Sequence, residues 1–241
     1  SPDVYYDGQS IDTTLDGKII LGPKINAVTE TPVGADAGAL DGNPVISCWF
    51  SAISKLILAT DHMLYWYDGT NWVMKKDFTA SGHITDIVEF NGYLFIALGT
   101  GASYYYTADG ENYTACTLAV ARDDEHHATK FLVAPNADGT ANVLWKFLTP
   151  NMVYYARSGL NGSTGLNNWS SATYVGDTSN NITNIFLVND NLMVGRTDNL
   201  FNVDADGGVH ALMDDLKHNR TTKNFQYVCQ YQTATYTTIG T

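Results

Sequence analysis

Cysteine is nearly absent from this chain of 241 residues: Cys48, Cys116 and Cys229 are the only three, and they stand far apart. That spacing excludes a disulfide framework and offers no zinc-ligand pattern, so the three read as semi-buried thiols. Charge is sparse as well, at 16% of residues, and it is lopsided: 13 Lys and Arg face 25 Asp and Glu, for a net charge of −12. Binding a phosphate backbone needs clustered Lys and Arg that displace counterions, which excludes a protein that reads nucleic-acid sequence. No apolar run approaches the ~18 residues that a helical membrane span requires. The first residues carry no basic and then apolar signal segment. The chain starts at Ser1 and finishes in the strand-like run TATYTTIGT, so it reads as a piece of something longer.

Aromatic residues, by contrast, are plentiful, with 15 Tyr and 5 Trp in a chain that is 44% hydrophobic. Such a composition favours strands packed on strands, and the length suits one all-β domain. The stretch Ile84–Thr117 shows the pattern best: ITDIVEF, Asn91-Gly92, YLFIALG, SYYYT, Asp109-Gly110, ENYTACT. Asn-Gly and Asp-Gly between apolar and aromatic runs signal hairpins, because both central residues of a type I′ turn need φ > 0. Four strands joined by tight turns thus fill one repeat of the β-propeller type.

The same unit recurs along the chain. Its strands are expected at Val45–Ile53, Leu56–Ala59, Met63–Tyr67 and Trp72–Lys75, then within Ile84–Thr117. A third unit places them at Lys130–Ala134, Val143–Phe147, Met152–Ala156 and Trp169–Thr173, with a swollen loop over Arg157–Asn168. The fourth has Ile182–Val188, Leu192–Gly195, Leu200–Val203 and Val209–Leu212, and Phe225–Gln232 opens a fifth. Blade boundaries fall near 45–76, 83–117, 128–174, 181–213 and 225–241, while 1–44 holds a partial blade, signalled by Val4-Tyr5-Tyr6-Asp7-Gly8, and a long connection. The third-strand aromatics Tyr65, Tyr105, Tyr154 and Phe201 are spaced by 40, 49 and 47 residues, in the range of propeller blades. Second strands such as LFIAL and VLWKF are apolar at odd and even positions alike, as in a blade held between two others. A two-sheet sandwich would leave a polar outer face on its strands, and these have none. The expected fold is therefore an all-β propeller of four-stranded antiparallel blades, about five in number, with more in a longer parent. If the strands from Phe225 complete the blade begun by Val4–Tyr6, the ring closes and no sheet edge is left open.

Thr107-Ala108-Asp109-Gly110-Glu111-Asn112-Tyr113 resembles the Asp-box of sialidase-like propellers, and Asp68-Gly69-Thr70-Asn71-Trp72 is a shorter echo. The resemblance implies a structural turn at Thr107, Asp109, Gly110 and Tyr113 in which the carboxylate caps backbone N–H groups, and no catalytic role. A sialidase would also need an arginine triad on a carboxylate. Arg122, Arg157 and Arg196 fall in successive repeats, yet no Tyr and Glu nucleophile pair accompanies them. Asp123-Asp124-Glu125-His126-His127 reads as a solvated loop, because neighbouring residues of a strand point to opposite faces and chelate poorly. Asp204-Ala205-Asp206-Gly207-Gly208 lacks the rest of a twelve-residue calcium loop and reads as a hairpin turn. No catalytic, metal or cofactor-binding residue is expected.

Taken from Val45 to Leu212, with YDGTNW, FNGYLFIALGTG and TADGENYT and its low charge, the chain resembles the diverged propeller domains of tailed-phage virion proteins, in tail nozzles and hubs. The resemblance implies a non-enzymatic structural or adhesion part of a virion tail or other extracellular assembly. Its partners would be neighbouring subunits in a homo-oligomeric ring, or a host receptor. The alternative is a carbohydrate-binding or sialidase-like propeller with Trp169 and Tyr174 stacking on sugar rings.

Overall fold

The structure, a computed structural model, describes residues 11–12, 20–21, 40, 44–116, 126–135, 142–155, 169, 171–188, 191–204, 208–212, 224–231 and 234–240. Two units are distinguished, Ser1–Glu30 and Thr31–Thr241. In the first, strands β1 (Ile11–Asp12) and β2 (Ile20–Leu21) pair antiparallel. Val4–Gly8, and with it the expected start of a partial blade, lies outside the described residues, as does most of the connection to residue 44.

In the second unit the chain folds as a β-propeller with four four-stranded antiparallel sheets among the described residues. The first blade holds β3 (Pro44–Phe50), β4 (Lys55–Thr60), β5 (Met63–Tyr67) and β6 (Trp72–Asp77), with a 3-10 turn at Ser51–Ile53. The second holds β7 (Asp86–Phe90), β8 (Tyr93–Ala97), β9 (Tyr105–Thr107) and β10 (Thr114–Ala115). Next come β11 (Lys130–Pro135), β12 (Asn142–Leu148), β13 (Met152–Tyr155) and β14 (Thr173–Tyr174). The fourth blade is β15 (Ile182–Val188), β16 (Asn191–Arg196), β17 (Leu200–Val203) and β18 (Val209–Ala211). A two-stranded sheet, β19 (Asn224–Tyr231) with β20 (Ala234–Gly240), follows in the fifth position.

Within each complete blade the strands pair in chain order, as consecutive hairpins require. First strands then meet in sequence: β3 lies beside β7, β7 beside β11, β11 beside β15, and β15 beside β19. That succession is the arrangement of innermost strands around a propeller axis. Tyr65, Tyr105, Tyr154 and Phe201 all stand on third strands, which explains the ruler seen in the sequence.

Three apolar layers join the four blades. Phe50, Ile57 and Leu64 of the first blade meet Ile87, Leu94 and Ile96 of the second. Phe95 and Tyr104 meet Phe131, Leu144 and Leu148 across the next junction, and Trp145, Phe147 and Val153 meet Ile185, Val194 and Phe201 across the last. Second strands carry most of this packing on both faces: Leu94, Phe95, Ile96 and Ala97 are all fully buried. Each buried aliphatic or aromatic side chain contributes about 1.5–3 kcal/mol. The double-sided apolar pattern of LFIAL and VLWKF therefore follows from a sheet with neighbours on both faces.

Two local expectations are corrected. Asn91 and Gly92 do take φ of 52° and 79°, as a type I′ turn requires. At Asp109-Gly110 only Gly110 has positive φ, 71°, because the connection from Thr107 to Thr114 is a longer, side-chain-capped loop and not a two-residue hairpin. Trp169 does not open the last strand of the third blade, which is Thr173–Tyr174. The loop Arg157–Asn168 and the turn at Asn189-Asp190 lie outside the described residues.

Candidate functional site

The side chains that could do chemistry sit mostly at junctions between blades. In the second blade's outer turn, Thr107 Oγ1 accepts the Gly110 N–H (2.9 Å) and donates to Asp109 Oδ1 (3.1 Å). Asp109 Oδ1 also accepts the N–H groups of Glu111 (2.9 Å) and Asn112 (2.8 Å), its Oδ2 takes the Asn112 amide (2.7 Å), and the Tyr113 hydroxyl donates to the Gly110 carbonyl (2.8 Å). The Asn112 backbone and side-chain donors, with Glu111 N–H, hold the Asp109 carboxyl well below the usual range. Asp68 repeats the device in the first blade, accepting Thr70 and Asn71 N–H at 2.7 Å each.

This turn is seated on the blade before it. A Cβ on Gly110 would lie 2.9 Å from Ile53 Cδ1 and 3.1 Å from the Trp66 ring. The Lys75 ammonium stands 3.6 Å over the Trp66 ring and 2.5 Å from Glu111. Glu89 of the second blade accepts Ser51 N–H (2.8 Å) and Ser51 Oγ (2.5 Å) from the first. Turn, cation and carboxylate thus tie two blades together.

Asp86, 3% exposed on β7, does the same at the next junction. Its Oδ2 accepts the Phe131 N–H of β11 at 2.8 Å, and beside it Thr85 Oγ1 donates to the Thr129 carbonyl (2.8 Å). Burial pushes the Asp86 carboxyl up to about 6, against the opposing pull of the Phe131 N–H and the Lys130 charge. A folded-state value above the ordinary 3.8 means that the fold prefers the protonated acid. Its contribution is present below pH ~4 and is lost as pH rises through about 6. Asp86→Asn keeps a carbonyl oxygen for Phe131 and removes the charge. Relative to the parent it should gain on the order of 2–3 kcal/mol between pH 4 and 7, read from urea midpoints at both values. Equal midpoint differences at both values would contradict this.

Lys146 is fully buried on β12, donating to the His127 carbonyl (2.8 Å), with its ammonium 4.6 Å from the Trp169 ring and 5.4 Å from that of Tyr104. Trp169 in turn donates Nε1–H to the Tyr104 hydroxyl at 3.1 Å. Expected to stack on a ligand, Trp169 is 5% exposed and forms part of the second junction, so neither ring face is open to a sugar. Tyr174, its proposed companion, is 62% exposed.

Arg196 is fully buried in the fourth blade. Its guanidinium donates to the Val175 carbonyl and reaches Asp177 (3.4 Å) and Asp198 (3.0 Å). An arginine that receives a substrate carboxylate needs its fork open to solvent, and this one is spent on its own blade and on the link from the third blade. Arg122 and Arg157 lie outside the described residues. Of the polar run before Thr129, His126 and His127 are described, with ring centroids 4.0 Å apart. Asp204 bonds His210 (2.8 Å) and Asn202 (2.8 Å), as a turn residue does. Among the described residues no group of three His, Cys, Asp or Glu side chains is placed to hold a metal ion.

Among the described residues the large exposed apolar side chains are Trp49 (57%), Leu56, Tyr174 and Leu212. Trp49 and Leu56 went unmarked in the sequence, since VISCWF and KLILA are apolar on both faces and give no sign of which face is bare.

No family model matches the chain, and no curated protein matches it. Solved structures do. The extracellular domain of a hybrid two component system from B. thetaiotaomicron aligns at 12% identity and a TM-score of 0.61, covering 87% of this chain and 26% of that one. YCF48 from Cyanidioschyzon merolae aligns at 11% identity and a TM-score of 0.57, covering 82% and 64%. A catalytically inactive virginiamycin B lyase from Staphylococcus aureus, solved with quinupristin, aligns at 11% identity and a TM-score of 0.53, covering 89% and 64%. At such identities the likeness is one of fold, and the chain spans from about a quarter to under two thirds of these proteins.

Proposed function

We propose that the chain is a non-enzymatic structural and adhesion module, a stiff propeller that contacts neighbouring subunits or a host receptor in a tailed-phage tail or particle. One observation carries this reading. Asp86, Lys146, Arg196 and the Thr107–Asp109 pair are each engaged within a blade or between blades, while apolar and aromatic side chains stand exposed. Loops on a rigid ring vary without cost to the core, which suits a contact surface. An extracellular location agrees with the extracellular domain among the similar structures.

The competing sugar-binding reading retains Tyr174 alone of its two stacking residues. A glycan array with the purified chain separates the two. The contact-module reading expects no saccharide above background, for the parent and for Tyr174→Ala alike. Saccharide binding that Tyr174→Ala abolishes would replace it with the sugar reading.

A further inference from the structure

Among the described residues three dyads join Asn or Asp to Gly: Asp68-Gly69, Asn91-Gly92 and Asp109-Gly110. In such a dyad the glycine nitrogen can attack the preceding side chain, because no Cβ crowds its approach. At two of the three the side chain is already committed. Asp68 accepts the N–H groups of Thr70 and Asn71, and Asp109 accepts those of Glu111 and Asn112 with the Asn112 amide and the Thr107 hydroxyl. The Asn71 and Thr70 N–H groups hold the Asp68 carboxyl below the usual range, as the Asn112 and Glu111 donors do for Asp109. Ring closure at an aspartate expels water and needs the neutral acid, so both of these dyads are closed to it. Asn91-Gly92 differs. Both residues are exposed at the β7–β8 tip, the ladder ends at the Phe90–Tyr93 pair, and nothing lies within 4 Å of a Cβ placed on Gly92. The Gly92 nitrogen therefore stands outside the strand pairing, and an asparagine amide leaves as ammonia without first being a neutral acid. An exposed tip of two residues also opens locally at small cost.

We infer that Asn91 is a site of spontaneous covalent modification, converted by its own backbone and water to aspartate and isoaspartate. Hydroxide takes the Gly92 amide proton, and the nitrogen bonds to Asn91 Cγ. The Cγ–Nδ2 bond breaks and ammonia leaves with a proton from water, which closes a succinimide ring. A water molecule then opens the ring. Cleavage of the new N–Cγ bond gives aspartate, and cleavage of the original peptide bond gives isoaspartate, whose main chain runs through the former side chain. One water is consumed and one ammonia released, with no change of oxidation state. Either product adds a carboxylate two residues from Glu89, which holds Ser51 across the first junction. Isoaspartate also lengthens a turn whose two-residue span sets the pairing of β7 with β8. The reaction is independent of what the propeller contacts, and the glycan array does not bear on it.

Peptide mapping by mass spectrometry tests the inference on folded chain kept warm at mildly alkaline pH for weeks, with isoaspartate detected by its specific enzymatic methylation. A free peptide spanning Glu89–Leu94 is aged beside it. The Asn91 peptide of the chain should gain the mass of an amide-to-acid exchange and become a methyl acceptor, while the peptides carrying Asp68 and Asp109 accept no methyl group. Gly92→Ala, its fold checked by circular dichroism, places a side chain beside the attacking nitrogen and should slow the conversion at least ~5-fold. A chain that keeps its Asn91 amide after the free peptide has fully converted would overturn the inference. So would isoaspartate forming at Asp68 or Asp109 as fast as at Asn91, or Gly92→Ala converting at the parental rate.

Discussion

Gly176→Ala should lower the stability of the chain by about 3–5 kcal/mol, a melting shift of roughly 6–20 °C for a domain of this size. Two causes act together. Gly176 has φ of 70°, where an L residue is strained, and a Cβ there would land on the Arg196 guanidinium. Arg196 has no free space to retreat into: it is fully buried, donates to the Val175 carbonyl and faces Asp177 and Asp198. Displacing it strands a buried cation from its partners, which costs more than the strain. Gly92→Ala supplies the contrast, because Gly92 has φ of 79° and nothing within 4 Å of the added carbon. It should lose only about 1 kcal/mol. Equal losses at the two positions would show that the Arg196 fork is not the constraint.

Gly110→Ala should cost about 2–3 kcal/mol through a different mechanism. Again φ is positive, 71°, but here the added carbon presses on Trp66 and Ile53 of the neighbouring blade. Ile53 can rotate away. The indole ring is held under Lys75, whose ammonium also pairs with Glu111 of the same turn, so relief there means separating the two blades at their rim. Amide exchange should report the damage in β5, β6, β9 and β10 and leave the fourth blade as it was. Protection lost only inside the turn would mean that it does not tie the blades together.

Much of the fold was legible because its signals are local. The Asn91-Gly92 turn and the apolar runs Met63–Tyr67, Ile182–Val188 and Leu200–Val203 each depend on a few consecutive residues, and these strands have the expected bounds. The third-strand aromatics recur because every blade repeats one pairing pattern. What stayed hidden is set by partners distant in sequence. Trp169 looked like an exposed aromatic for stacking on a ligand until Tyr104, just before β9, and Lys146 of β12 closed over it. Nothing near Asp86 in DIVEF announces that its carboxylate will meet the N–H of Phe131. Arginines recurring in successive repeats look the same in sequence whether they line a ligand site or, as Arg196 does, tie their blade to the link that precedes it. Trp49 and Leu56 were masked for the opposite reason: a strand apolar on both faces predicts burial on both, and the first blade leaves one end of one face bare.

The view of this propeller as a contact module, with its reactive groups committed to holding blades together, is tested most directly by turnover. Purified chain, its fold checked by a cooperative melt, is incubated with a panel of aryl glycosides and sialosides and release of the aryl group is followed. The account predicts release at the rate of buffer alone across the panel; saturable release that rises in proportion to the concentration of the chain would contradict it.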